Sequence, residues 1–308
     1  MGKPIGPGNR PLTAPGTMSA PFHPTSVAVR EGLALSATTH GQSVEPAVLL
    51  ISGAEEPSAR WPSALIDRLC QHVGAVVTYD QRDVGGSGSV AETYALDDLV
   101  DDALAVLDHV DSTAVHVVGR GMGGMISQLL ALRHPTRVRS LTLLSTTAGV
   151  NEASEQPAPW LVDRMAERLF GDPPSTPIER VQAIVEQQQW FRGNRFDFDL
   201  DRELDAAARE VAASSWPPDH VPGHGRAVVD AEPRHAQLSE LTTPTLIVHG
   251  TDDPVYPPSH AFVLHELIPN SDVELVEGLG HELPVGFVDQ FVGLLETFIK
   301  KTESRPSA

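Results

Sequence analysis

The residues best suited to chemistry in this 308-residue chain lie in one glycine-rich turn, Val117-Val118-Gly119-Arg120-Gly121-Met122-Gly123-Gly124-Met125. Two chemistries use such a turn. Gly119, Gly121 and Gly124 fit G-x-G-x-x-G, whose glycines let a backbone approach a pyrophosphate at a helix N-terminus, and that reading predicts a dinucleotide-dependent oxidoreductase. Gly119-Arg120-Gly121-Met122-Gly123 fits instead G-x-S-x-G, the strained strand-to-helix turn that exposes a nucleophile, with glycine in place of the serine. Position argues against the nucleotide. The turn follows several strands rather than opening the first βαβ unit. The next strand, Val138–Leu144, ends in Ser145-Thr146-Thr147, with no acidic residue for a ribose.

Elements must position this turn, and hydrophobic periodicity supplies them. Ser26–Arg30 and Leu33–Thr39 read as strands around the turn Glu31-Gly32. Val48–Ile51, Ala75–Tyr79, Ala114–Val118 and Val138–Leu144 are short apolar strands. Between them, Trp61–Gln71, Leu96–Val110 and Met122–His134 have helical spacing. Strands apolar on both faces and alternating with helices predict a parallel sheet covered on two sides. Residues 150–232 break the rhythm. They hold only helical pieces, Trp160–Phe170, Ile178–Phe191, Leu200–Ala213 and Gly225–Ala231, before Thr245–Val248, Ser259–Leu267, Val273–Val276 and Gly286–Lys301 resume it. The expected organisation is a disordered, Pro/Gly-rich tail over 1–26, a core of 27–149 and 233–302, and a helical cap of 150–232 over the strands' C-terminal edge.

Four further segments follow strands in a consistent order. They are Leu50-Ile51-Ser52-Gly53-Ala54, Tyr79-Asp80-Gln81-Arg82-Asp83-Val84-Gly85-Gly86-Ser87, His249-Gly250-Thr251-Asp252-Asp253-Pro254 and Gly278-Leu279-Gly280-His281-Glu282-Leu283-Pro284. With the glycine turn, they make residues 25–300 resemble the α/β-hydrolase superfamily. The Tyr-Asp-x-Arg-Asp loop, Arg60-Trp61-Pro62 and Leu-Arg-His-Pro-x-Arg-Val at 132–138 are similar to polyketide-pathway esterases of the aclacinomycin methylesterase type. The resemblance implies an α/β-hydrolase fold, an acid at Asp253 just before Pro254, a histidine at His281, and oxyanion donors at the Ala54 and Met122 amides. Asp252 is the solvated alternative to Asp253. The plain reading of His281 is a loop histidine capping the last helix, but its place after the final strand favours the catalytic position.

The chain departs from that pattern at one point. The family nucleophile aligns with Gly121, where no acyl-enzyme can form. Ser52, Ser127 and Ser145 read as structural or substrate-lining, and Cys70 as a small core hydrophobe. His220 and His224 are four apart in a Pro/Gly loop without a third ligand, so no metal is expected. Gly85-Gly86-Ser87-Gly88 lacks the lysine of a phosphate loop. Arg120 either supports the turn or faces an anionic or phenolic substrate. The cap aromatics Trp160, Phe170, Trp190, Phe191, Phe196, Phe198 and Trp216 mostly pack the cap, yet they also suit a bulky aromatic ligand.

Composition limits the partners. With 22 basic and 41 acidic residues the net charge is −19, which disfavours nucleic acid and anionic membranes. No apolar run approaches the ~20 residues of a membrane span. The first residues lack a secretory signal pattern, so a cytoplasmic location is expected. The resemblance, together with the missing nucleophile at Gly121, implies a cofactor-independent enzyme working on a polyketide-like aromatic metabolite. The expected reaction is non-hydrolytic: ring closure by C–C bond formation, or a lyase or isomerase step, with His281 as acid/base and Asp253 orienting it. Two other readings stand beside it: an esterase or methylesterase whose serine was changed to glycine, and a non-catalytic binding pseudoenzyme.

Overall fold

Short runs of β-branched and aliphatic residues leave no polar face to present to water, and each such run is an interior strand. The structure, a computed structural model, describes residues 24–41, 46–150, 155–214 and 222–304. Its strands are β1 (Thr25–Arg30), β2 (Leu33–His40), β3 (Pro46–Ile51), β4 (Ala75–Tyr79), β5 (Val115–Arg120), β6 (Val138–Leu144), β7 (Thr245–Gly250) and β8 (Ser271–Val276). They form one eight-stranded sheet in the order β1-β2-β4-β3-β5-β6-β7-β8. Every pairing from β4 to β8 is parallel, and β2 is antiparallel to both its neighbours. Thr25 and Ser26 pair with Ala37 and Ser36, so the first strand begins inside the segment expected to be a disordered tail. The rest of that expectation, residues 1–23, lies outside the described residues.

Helices cover both faces. On one side α1 (Ser63–His72) and α10 (Val285–Glu303) pack Leu65, Leu69, Phe287, Phe291 and Leu295 against Val48, Leu50, Val118 and Val248. On the other, α2 (Leu96–His109), α3 (Met122–Arg133) and α9 (Ser259–Leu267) cover Leu49, Ile51, Val117 and Leu143. In α2 the buried Leu96, Leu99, Val100, Ala103, Val106 and Leu107 form one helical stripe, and the Asp98 carboxylate accepts the Ala95 N–H at 2.8 Å at its start. The α3 helix is buried continuously from Met122 to Ala131, which places it at the centre of the molecule. Pro62 caps α1, so the helix starts at Ser63 rather than at the expected Trp61.

Between β6 and β7 the described residues hold helices and loops but no strand. The helices are α4 (Pro159–Phe170), α5 (Pro177–Phe191), α6 (Leu200–Ala213) and α7 (His224–Val229), with the short α8 (His235–Leu238) following. Thr176 and Glu179 close a reciprocal cap on α5. Arg60, before α1, donates to Glu203 at 2.7 Å and Glu210 at 2.8 Å on α6 and so ties the inserted helices to the core. Ala227 of α7 packs into the sheet-side cluster.

Candidate active site

The turn after β5 brings the sheet's central strand into α3 within two residues. Gly121 occupies φ 55°, ψ −119°, a conformation that strains any residue with a Cβ. A Cβ at Gly119 would lie 2.3 Å from the Gly123 carbonyl, and one at Gly123 2.2 Å from that of Ile51. The outer glycines are therefore required by the close crossing of strand, helix and neighbouring strand. Thr146 donates its hydroxyl to the Gly121 carbonyl at 2.6 Å and fixes the turn from below. Met122 opens α3, and its N–H has no carbonyl one helical turn back to bond.

Asp253 follows β7 and is 4% exposed. Its Oδ1 accepts the amides of Val255 and Tyr256, each at 2.9 Å. Its two oxygens lie 3.1 and 2.9 Å from His281 Nδ1. Burial pushes this carboxyl up, but His281, His249 and the Tyr256 amide outweigh that and hold it below the usual carboxylate range. An ionised Asp253 takes the Nδ1 proton as its hydrogen-bond donor, which leaves the Nε2 lone pair of His281 free. The ring is held between the edges of Phe191 and Tyr256, with centroids 5.4 and 5.5 Å away. The His281 N–H donates to the Phe191 carbonyl at 2.7 Å. Asp252 instead accepts the Thr251 hydroxyl at 3.1 Å, and the carboxylate on His281 is that of Asp253. A Cβ on Gly121 would have His281 Nε2 as its nearest neighbour, 3.4 Å away.

Arg120 has its ion-pair partner on the loop after β3. It pairs with Glu56 beneath the turn, beside Ser52, Arg60, Trp61 and Leu283. Burial lowers its guanidinium to about 10, opposed by Glu282, Glu203 and Asp253. Of the two expectations for Arg120, the geometry fits support of the turn. Ser52, Ser127 and Ser145 are all buried, and Ser127 donates to the Gly123 carbonyl at 2.6 Å. None of the three is open to the surface. Cys70 is a free, half-buried thiol.

The inserted aromatics divide. Trp190 is half-buried and Phe191 meets His281, but Trp160 is 49% exposed and Phe170 is 86% exposed, so Phe170 lines no pocket. Helical spacing alone cannot say which face of a short helix turns inward. Phe196 packs against Phe287 with the rings tilted by 50° and their centroids 5.7 Å apart. Trp216 and His220 lie outside the described residues. No group of three or more His, Cys, Asp or Glu side chains suited to a metal occurs among the described residues, and none of their helices is long and apolar enough to cross a membrane. Sequence reasoning missed His249, Tyr256 and Glu56, whose parts depend on chain crossings that spacing does not reveal.

A parallel sheet with a glycine turn after its central strand, and an Asp–His pair on the loops after two later strands, defines the architecture of the α/β hydrolases. Residues 46–285 match the family described as alpha/beta hydrolase fold, and the chain belongs to it. Among its relatives are the rhodomycin D methylesterases DauP of Streptomyces sp. (strain C5) and DnrP of Streptomyces peucetius. Each is 32% identical over 285 residues, covering 85% of this chain and 93% of theirs. A 3-oxoadipate enol-lactonase of Acinetobacter baylyi is 27% identical over 83% of this chain and 90% of its own. The structure of the esterase RhEst1 from Rhodococcus sp. ECU1013 shares the fold with a TM-score of 0.74 at 21% identity, covering 91% of this chain and 100% of that one. Kinship with methylesterases and lactonases makes an enzyme the coarse conclusion. It favours hydrolysis over the ring closure expected from the residues.

Proposed function

We propose that this chain hydrolyses the ester of a bulky, polyketide-like aromatic acid, a methyl ester first of all, with His281 activating water directly and no covalent intermediate. The observation that carries the reading is the aim of His281 Nε2 at Gly121, with Nδ1 held by a buried, ionised Asp253. The methylesterase relatives support the substrate class. In this reading Nε2 takes a proton from water as the water oxygen attacks the ester carbonyl. The Ala54 and Met122 amides hold the developing oxyanion. On collapse His281 returns the proton to the departing methoxide, so ester and water become acid and methanol. Asp253 keeps the imidazole in the required tautomer and stabilises the imidazolium. We take 150–232 as the lid, with Trp190 towards the substrate, Trp160 at its outer rim, and Arg120 as a support of the turn.

One observation favours a second reading. Gly121 offers no nucleophile, and removing a proton from a carbon acid or phenol needs only a base and an anion hole. A ring closure, lyase or isomerase step on the same aromatic class would use His281 and Asp253 alike. Incubating the protein with a methyl ester of a polycyclic aromatic carboxylic acid in H2(18)O separates the readings. Hydrolysis yields the acid carrying one heavy oxygen. A product of unchanged mass and altered chromatographic position favours the second reading. Tight binding with no product supports a binding protein.

A further inference from the structure

The loop after β3, Ser52-Gly53-Ala54-Glu55, has no regular partner of its own, yet both peptide planes that flank Ala54 are tied down. In the first plane the Gly53 carbonyl accepts from Gln81 Nε2 at 3.3 Å, and the same nitrogen donates to the Ser52 carbonyl of the preceding peptide at 3.0 Å. A peptide unit is planar, so a fixed Gly53 carbonyl turns the Ala54 N–H to the opposite side. In the second plane, the Glu55 N–H donates to His224 Nδ1 at 2.9 Å. Glu55 has a φ of 61°, which residues with a Cβ seldom adopt without local restraint.

His224 is itself over-determined. It is fully buried, and its Nε2 lies 3.0 Å from the Arg82 carbonyl. A carbonyl only accepts, so Nε2 carries the proton and Nδ1 presents its lone pair to Glu55. The Tyr94 ring meets the imidazole edge-on at 6.0 Å. Arg82 is anchored by Asp102 through two bonds of 2.7 and 2.8 Å. Burial lowers the His224 imidazole to about 4, so the ring stays neutral and keeps its acceptor at working pH.

We propose that His224 is a positioning residue for catalysis: by holding the Glu55 amide it fixes the peptide plane after Ala54 and keeps the Ala54 N–H aimed at the oxyanion. The proposal rests on the reading of Ala54 as an oxyanion donor. His224 heads α7, at the exit of the inserted helices, so the same contact makes the anion hole depend on how that exit is seated.

Two near-isosteric substitutions separate the two ring nitrogens. His224→Asn keeps an acceptor near the Nδ1 position, and His224→Gln keeps a donor near Nε2 but loses the acceptor. Amide hydrogen exchange at Glu55 reports the contact without reference to activity. Turnover of a polycyclic aromatic methyl ester reports its use. His224→Gln should speed Glu55 exchange and lower kcat roughly ten- to a hundredfold with little change in KM, below the full loss of an oxyanion donor. His224→Asn should restore most of both. If His224→Gln leaves Glu55 protection unchanged, His224 does not hold the loop and the proposal falls. If exchange rises while kcat stays level, His224 holds the loop but Ala54 takes no part in the chemistry, and the oxyanion reading falls with the catalytic role. Should His224→Gln fail to fold, slowed turnover with intact Glu55 protection in His224→Asn would equally overturn the assignment.

Discussion

His281 Nε2 stands 3.4 Å from the point where a side chain on Gly121 would begin. The base is aimed at the backbone of the turn as though a nucleophile were bonded there. The turn also keeps the φ of 55° that a nucleophilic side chain would have to endure and that glycine adopts without strain.

Gly121→Ser tests that relationship. The serine hydroxyl would enter hydrogen-bond range of Nε2, while the backbone conformation costs about 1–3 kcal/mol of stability. A lower melting temperature, stoichiometric labelling by a fluorophosphonate and burst kinetics on aromatic esters are expected. The unaltered chain should not label. Labelling of the unaltered chain that is lost on changing Ser52, Ser127 or Ser145 would reveal a displaced nucleophile.

His281→Ala should lower turnover roughly 10²–10⁴-fold, because proton transfer then falls to solvent. Asp253→Asn should also be severely impaired, since the amide neither stabilises an imidazolium nor enforces the tautomer. Asp252→Asn is the control and should stay near the starting rate. Steady-state kinetics of the three variants decide it; full turnover in both His281→Ala and Asp253→Asn would rule out the dyad.

Glu282 predicts a stability profile. Burial and the neighbouring Glu203 push its carboxyl up to about 7 against the opposing pull of Arg120, Arg192 and Arg202. A carboxyl whose pKa is raised on folding binds more protons in the folded chain than in the unfolded one. It therefore stabilises the fold at low pH, and that stabilisation is lost as pH rises from about 4.5 through 7. The shift corresponds to about 3 kcal/mol at most, less any relaxation around the cluster. Glu282→Gln should remove this slope and leave the variant more stable than the unaltered chain at pH 8, measured by chemical denaturation across pH.

Much of this arrangement was legible in the chain itself. The strands Ala75–Tyr79, buried throughout, and Val138–Leu144, buried except at Arg139, appear with the expected ends. Pro254 marked Asp253 rather than Asp252, and Asp253 is the carboxylate that meets His281. What stayed illegible depends on distance along the chain. Glu55 and His224 are 169 residues apart, and nothing in either segment announces the other. Arg120 pairs with Glu56, 64 residues earlier, and spacing around the turn does not announce that partner. Aromatic content could not separate Phe170, pointing to water, from Phe191, lying against His281.

The hydrogen bonds from His281 N–H to the Phe191 carbonyl, 2.7 Å, and from Arg195 N–H to the Gly278 carbonyl, 3.1 Å, stitch the end of α5 and the chain just after it to the loop that carries the imidazole. Phe191 thereby gives the imidazole both a backbone anchor and one of its two aromatic walls. The backbone that ends α5 is thus also the backbone that seats the imidazole's loop, so a substitution that loosens this part of the inserted segment acts on His281 from outside the Asp253 pair.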